Sequence, residues 1–216
     1  MIMRSSPYGN EKTSVNKVMQ AVIYALIPGT LVMIYFFGWG VAINLAIAIS
    51  TAIVSEAVIL KLRKRPVKPF LMDGSAVLTG ILLALAIPTL APWWLIFLGT
   101  AFAIIIGKQL YGGLGYNPFN PAMVGYVMLL ISFPQEMTAW INPLQHSLTV
   151  GDFFNYSFFN ELPANRTYDE VTMATVLDTV KTNLSLNNTL NEIQSGNETL
   201  FGGLAGKGWE WINMMF

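Results

Sequence analysis

Hydrophobic positions fall into five stretches within the first 133 residues of this chain, and polar positions dominate the remainder. Val18–Phe37 and Val41–Leu60 are each 20 residues long with at most one ionisable side chain. Each therefore matches the roughly 30 Å hydrocarbon core of a lipid bilayer. The connector Gly38–Gly40 is long enough only for a tight turn. The pattern predicts two full membrane-spanning helices joined as a hairpin.

The next three apolar stretches, residues 76–90, 93–107 and 121–133, are shorter and lie among Pro and Gly residues. Interrupted segments are tolerated in membranes only where protein or a cavity satisfies the exposed backbone groups. We therefore expect broken or re-entrant helices with a binding site between them. The predicted fold is an all-α integral membrane protein, with about five transmembrane or broken helices followed by an exported polar segment.

The distribution of charge predicts the orientation. Residues 1–133 carry nine Lys/Arg and three acids, whereas residues 134–216 carry three Lys/Arg and nine acids. Five of the positive charges lie in the run Lys61–Lys68. Because basic loops resist translocation, this run and the N-terminus should be cytoplasmic, and residues 134–207 should lie outside. Counting five spans from a cytoplasmic N-terminus gives the same result, so we expect a bacterial inner-membrane protein whose residues 134–207 are periplasmic.

Composition excludes several classes of protein. Hydrophobic residues make up 54% of the chain and charged residues 11%, against about 25% charged in soluble domains. A net charge of zero offers no general attraction to nucleic acid. With no cysteine and a single histidine, His146, the chain has no thiolate metal site, no protein-bound iron–sulfur cluster and no histidine pair. No glycine-rich dinucleotide fingerprint is present, so direct electron transfer from NADH is not expected.

The polar segment and the end of the chain leave two questions open. The segment holds five Asn-x-Ser/Thr triplets, which would be glycan acceptors in a eukaryotic lumen but also arise by chance in an Asn/Thr-rich loop. Residues 208–216 are apolar again, which predicts the start of a truncated sixth span. We therefore expect a fragment of a longer protein or a truncated reading frame.

Two acids lie inside or beside the apolar stretches, and intramembrane acids are candidates for function. Glu56 sits near the cytoplasmic end of its span, where we expect an ion pair with the Lys61–Lys68 run or contact with water. Asp73 precedes the third span. It is predicted either to cap that helix through the following turn or to bind a ligand.

Three motifs, in this order and in these membrane positions, carry a family resemblance: Asp73–Pro88, Gly112–Met123 and Asp169–Leu177. Together they resemble RnfD, a membrane component of the Rnf-type ion-translocating electron transport complex, and its relative NqrB in the sodium-pumping NADH:quinone reductase. The resemblance covers essentially all 216 residues. It implies a protein of about ten spans, of which five are present in this chain.

The resemblance implies that the third motif is a modification site. In such proteins a threonine at the matching position, here Thr175, is esterified to the phosphate of FMN by a separate flavin transferase. Asp169 and Thr172 match positions that the transferase recognises, while Met173 stands where relatives often have glycine. Read from the local residues alone, the motif is a polar turn that leads into an amphipathic helix over residues 175–184.

The second motif predicts an irregular backbone, because its glycines permit positive φ and Pro118 and Pro121 remove amide donors. Asn117 and Asn120 add donors and acceptors for a polar ligand. The resemblance implies a non-covalent flavin, riboflavin, or a quinone-related ligand here, and Asp73 is a further candidate for binding it. A helix-breaking connector without a ligand is the structural alternative.

The predicted function is therefore a membrane flavoprotein subunit that relays electrons through covalent FMN and couples redox chemistry to ion movement. It is not expected to be catalytic alone. Its expected partners are the other subunits of the complex, the flavin transferase and membrane lipid. The alternatives are a solute transporter or channel subunit without a redox cofactor, and a purely structural membrane subunit. A cluster of aromatic residues offers packing surfaces for the flavin ring or anchors at the membrane interface: Phe153, Phe154, Tyr156, Phe158 and Phe159.

Overall fold

The structure, a computed structural model, describes residues 14–141, 148–162, 176–186 and 189, and these residues are helical with no β-strand. Most of the described chain is in nine α-helices and one π-helix. In chain order these are α1 (Val15–Phe37), α2 (Gly40–Leu62), α3 (Val67–Leu71), α4 (Ser75–Ala86), α5 (Trp93–Phe102), a π-helix (Ala103–Gln109), α6 (Pro121–Ser132), α7 (Pro134–Thr138), α8 (Val150–Phe159) and α9 (Val176–Ser185).

Two helices, α1 and α2, are long and apolar enough to cross a membrane. Each has 23 residues, which corresponds to about 35 Å at 1.5 Å per residue. The N-terminal cap of α1 is Ser14, whose side chain accepts a hydrogen bond from Lys17 N. Between the two helices Gly38 adopts φ +80°, a conformation that favours glycine, and α2 begins at Gly40. The predicted hairpin is therefore observed.

The remaining apolar helices are shorter, as the sequence predicts. They are α4, the continuous unit Trp93–Gln109 formed by α5 and the π-helix, and α6. Helix α4 ends at Ala86, four residues before the predicted end, because Ile87 is extended ahead of Pro88. At 12 residues, α4 is about 18 Å long and shorter than the hydrocarbon core of a bilayer.

Small residues let the central helices pack closely. Helix α2 packs against α4 at Gly80, where an added Cβ would lie 3.1 Å from the Ala48 carbonyl oxygen. Helices α5 and α6 meet at Gly99 and Gly125, and a Cβ at Gly125 would lie 2.7 Å from Gly99 O. Such glycine contacts are a common mode of helix association in membranes. The buried core lies between these four helices and includes Leu83, Ile87, Leu95, Ile96 and Leu129.

The connections lie at the two ends of this bundle. At one end, which we call the aromatic end, Gly38 and Gly40 contact Phe153 of α8, and the ring of Trp93 stacks on that of Phe158. At the other, which we call the basic end, the side chains of the Lys61–Lys68 run reach the segment after the π-helix. This arrangement matches the span parity expected from the sequence. Which end faces the cytoplasm stays a prediction.

Candidate functional site

A buried ion pair lies near the basic end, between α2 and the π-helix. Lys108 Nζ is 2.5 Å from Glu56 Oε1, and the two residues are 2% and 0% exposed. The same ammonium donates a hydrogen bond of 2.7 Å to Ser75 Oγ at the start of α4. Three helical segments that are distant in sequence are thus joined by one cation.

The ion pair continues into a chain of hydrogen bonds that ends at Asp73. Asp73 Oδ1 accepts from Ser75 Oγ at 2.5 Å and from Ser75 N at 2.8 Å. The predicted capping role of Asp73 is therefore observed, since its carboxylate satisfies an amide in the first turn of α4. Gly74 has φ +78°, which a side chain would rarely tolerate.

Gln109 completes the polar cluster on its other side. Its Nε2 donates to Glu56 Oε1 at 2.7 Å, so this one carboxylate oxygen accepts from both Gln109 and Lys108. The other carboxylate oxygen, Glu56 Oε2, and Gln109 Oε1 are buried and accept no hydrogen bond from the described protein atoms. Buried acceptors without donors are costly, so this pair of oxygens is suited to a water molecule, a proton or a small cation.

The predicted partner of Glu56 was wrong. The sequence indicated an ion pair with the Lys61–Lys68 run or contact with water, but the Glu56 side chain is fully buried and pairs with Lys108. The π-helix explains the difference, because its wider turn sets the direction of the residues at its C-terminal end. π-Helical turns occur frequently at functional sites. The detectable signal was a lysine directly after an apolar stretch, since ionisable residues near membrane segments face the protein interior.

The glycine-rich segment after the π-helix has the irregular backbone that the sequence predicts. Gly112, Gly113 and Gly115 have φ values of +119°, +107° and +86°. The side chain of Asn117 donates to Phe119 O at 2.7 Å and is exposed, and Asn120 Oδ1 caps α6 by accepting from Ala122 N at 3.0 Å. Both asparagines therefore have local structural roles beside the ligand-binding role predicted for them.

An open cleft lies at the aromatic end, with a volume of about 640 Å³. The rings of Trp93 and Phe158 stack at its edge, with centroids 6.4 Å apart and planes 12° apart. The predicted aromatic cluster divides: Phe153 and Tyr156 belong to a buried core, whereas Phe154 and Phe159 are exposed. The lining includes residues from the α4–α5 connection, α7 and α8: Leu90, Pro92, Trp93, Trp94, Gln135, Glu136, Tyr156, Ser157, Phe158, Phe159, Asn160 and Leu162.

Comparison with known proteins decides the family. A model of the NQR2, RnfD, RnfE family matches residues 2–216. This chain belongs to that family. The resemblance expected from the three motifs is thereby confirmed.

Several curated relatives in the NQR2, RnfD, RnfE family are named as the D subunit of an ion-translocating oxidoreductase complex. The protein from Aliivibrio salmonicida is 50% identical over 223 aligned positions, which cover 98% of this chain and 63% of the relative. The protein from Yersinia enterocolitica is 49% identical, with 100% and 64% covered. The protein from Colwellia psychrerythraea is 46% identical, with 98% and 62% covered. The chain thus spans a little under two thirds of the length of these relatives.

The threonine motif of this NQR2, RnfD, RnfE family member lies outside the described residues. Asp169, Thr172 and Thr175 all fall in that part of the chain, as does His146. The described structure resumes at Val176, where α9 begins, in agreement with the helix expected over residues 175–184. No group of three His, Asp or Glu side chains suited to a metal ion occurs in the part of the chain that the structure describes.

Proposed function

We propose that this chain is the flavin-carrying part of a membrane subunit in an ion-translocating electron transport complex, with FMN esterified to Thr175. The observation that carries the proposal is the family match over residues 2–216, which includes the whole Asp169–Leu177 motif. The name shared by the curated relatives supplies the class of complex. Other subunits of the complex would deliver and remove the electrons, and a flavin transferase would form the phosphoester at the Thr175 hydroxyl.

The aromatic cleft supports this proposal because its size and lining suit a flavin ring. Its volume of about 640 Å³ lies within the roughly 300–1,000 Å³ of small-molecule and cofactor sites. Leu162 lines the cleft and Thr175 follows 13 residues later, a segment that reaches at most about 45 Å when extended. A ring tethered at Thr175 is therefore within reach of Trp93 and Phe158. FMN, when bound, supplies the reversible redox chemistry of the subunit.

The proposed orientation puts the aromatic end in the periplasm and the basic end in the cytoplasm. It rests on the excess of Lys and Arg in the basic end, because positively charged loops remain on the cytoplasmic side. A covalent tether is useful on the periplasmic side, since a dissociable cofactor would be lost by dilution whereas a tethered one keeps a high effective concentration.

A second ligand, riboflavin or a quinone-related molecule, is proposed at the basic end beside the glycine-rich segment. Positive φ at Gly112, Gly113 and Gly115 lets a ligand approach the backbone closely, and the exposed Asn117 offers hydrogen-bonding groups at its surface. The flavin released by denaturing the purified protein measures this site. Asn117→Ala should lower the released fraction and leave the covalent fraction unchanged, and an unchanged released fraction would argue against the site.

A solute transporter or channel subunit is the second candidate function. It is favoured by the two buried oxygens without donors, Glu56 Oε2 and Gln109 Oε1, which lie among short helices of the kind found at transport sites. Such a protein has no need of a modified Thr175. A yellow protein with covalent fluorescence on a denaturing gel would separate the redox carrier from this alternative.

The decisive experiment compares Thr175→Ala with Thr172→Ala, each expressed together with the flavin transferase. On a denaturing gel under ultraviolet light, fluorescence should vanish for Thr175→Ala because the esterified oxygen is gone. It should persist, weakened, for Thr172→Ala because only the transferase contact changes. The reverse pattern would move the attachment to Thr172, and no fluorescence in the unmodified chain would remove the flavoprotein proposal.

A further inference from the structure

The basic end carries five exposed cations that no acid neutralises. Lys61 lies in the last turn of α2, and Lys64 and Arg65 lie in the turn that follows. Arg63 and Lys68 complete the set. Among the residues that the structure describes, the single salt bridge is the one between Lys108 and Glu56. The charge of this run is therefore available to an anionic partner.

Two of these cations are held in place by backbone carbonyl groups. Arg63 donates to Gln109 O, and Arg65 Nη1 donates to Gly112 O at 2.9 Å. Carbonyl oxygens fix the direction of a guanidinium but do not cancel its charge. The two arginines thus attach the run to the segment after the π-helix and limit its freedom.

Lys64 occupies a backbone conformation that glycine adopts more easily. Its φ is +53°, and the following amide, Arg65 N, donates back to Leu60 O at 2.9 Å. This is the pattern of a helix C-terminus that usually has glycine at the left-handed position. A lysine here is strained relative to glycine, so the cation at this position needs an explanation other than helix termination. The count of positive charges that orients a membrane protein does not require this conformation.

An exposed apolar stripe on α2 leads directly to these cations. Val54, Val58 and Leu62 are 59%, 50% and 72% exposed and lie four residues apart, so they share one face of the helix. Lys61 lies beside Leu62 at the end of this face. A helix face of this kind, which carries cations only at its end, has the same division of polarity as a phospholipid.

We propose that the basic end binds an anionic phospholipid, whose phosphate lies at Lys61 and Lys64 and whose acyl chain follows Val54, Val58 and Leu62. Charge complementarity selects an anionic headgroup, and the apolar stripe selects a lipid over a soluble phosphate. Basic clusters next to the end of a membrane helix attract anionic lipids. The site does not involve Thr175, so it stands whether or not the chain carries a flavin.

The test measures lipid preference with the full chain in nanodiscs that contain equal amounts of phosphatidylglycerol and phosphatidylcholine. Bound lipids are counted by native mass spectrometry after release from the disc. The unmodified chain should retain phosphatidylglycerol in excess, and Lys61→Gln/Lys64→Gln should retain the two lipids equally. The matched control Lys17→Gln/Lys181→Gln also loses two exposed cations, but from α1 and α9, and should keep the preference. Equal retention by the unmodified chain, or an unchanged preference in the Lys61/Lys64 variant, would overturn the proposal.

A single substitution separates lipid binding from a purely structural role of Lys64. Lys64→Gly relieves the left-handed strain, so it should raise the thermal unfolding temperature in lipid-free detergent while it lowers the preference for phosphatidylglycerol. A glycine variant that keeps the full preference would contradict the proposed headgroup site. Inorganic phosphate added during exchange should not displace the lipid, and displacement by phosphate would identify a soluble-anion site instead.

Discussion

Lys108 Nζ lies 2.5 Å from Glu56 Oε1, although 52 residues separate these two buried side chains in sequence. The pair fixes the π-helix against α2, and the bond from Lys108 to Ser75 adds the start of α4. Removing one partner of a buried pair leaves the other charge uncompensated, which is more harmful than removing both. The three segments should therefore respond to substitution as one unit.

Single substitutions in this pair should be strongly destabilising, and the double substitution less so than their sum. Lys108→Met or Glu56→Gln alone should lower the free energy of unfolding by about 3–5 kcal/mol, the usual cost of breaking a buried ion pair. Lys108→Met/Glu56→Gln removes both charges and should recover part of that loss. Reversible unfolding in mixed detergent micelles measures all three. Additive losses would show that the two side chains do not interact.

Close packing of α5 on α6 should make Gly125 intolerant of any side chain. A Cβ at Gly125 would lie 2.7 Å from Gly99 O and 2.9 Å from Ala103 Cβ, so the two helices must separate. We expect Gly125→Ala to cost about 1–3 kcal/mol, as overpacking does elsewhere. Gly151→Ala is the control, because its nearest neighbour is Thr149 Oγ1 at 3.7 Å. Equal thermal unfolding temperatures for the two variants would contradict this packing.

The aromatic cleft should affect the environment of the flavin and not its attachment. Trp93→Ala removes a ring that stacks on Phe158, and loss of about 0.5–1.5 kcal/mol of stacking reduces docking of the ring roughly 2- to 10-fold. Covalent fluorescence on a denaturing gel should stay constant while iodide quenching of the native flavin rises. Phe119→Ala, an exposed ring at the basic end, should change neither. Unchanged quenching in Trp93→Ala would place the flavin elsewhere.

Reporter fusions test the proposed orientation of the bundle. Alkaline phosphatase fused after Lys68 should be inactive because the basic run stays in the cytoplasm. The same enzyme fused after Gly196 should be active in the periplasm, and a green fluorescent reporter should give the opposite pair of results. Two fusions that both behave as cytoplasmic would refute the five-span topology.

The long helices were predictable because hydropathy and length alone determine them. The predicted start of α1 at Val18 differs by three residues from the observed Val15, since Ser14 supplies an N-cap that hydropathy does not detect. The capping role of Asn120 was also readable, because an asparagine before a proline at the first helical position is a common helix start.

The partner of Glu56 was not predictable from the same information. Sequence distance favoured the Lys61–Lys68 run, five to twelve residues away, but those side chains are directed to the surface and to backbone carbonyls. Selecting Lys108 required the π-helix to be known, and no periodicity in an apolar stretch distinguishes a π-turn from an α-turn. The left-handed conformation of Lys64 escaped prediction for a similar reason, because helix ends are usually recognised by a glycine that is absent here.

The π-helix also makes the length of Ala103–Gln109 a determinant of the site. Its last amide bond skips five residues, from Leu110 N to Ile105 O at 2.9 Å. Deleting one residue would allow a regular α-helix, and each residue in such a helix turns the chain by about 100°. A one-residue deletion there would therefore rotate Lys108 away from Glu56 even if every remaining side chain were unchanged. Insertions and deletions in this short segment should be as harmful as substitutions of the ion pair itself.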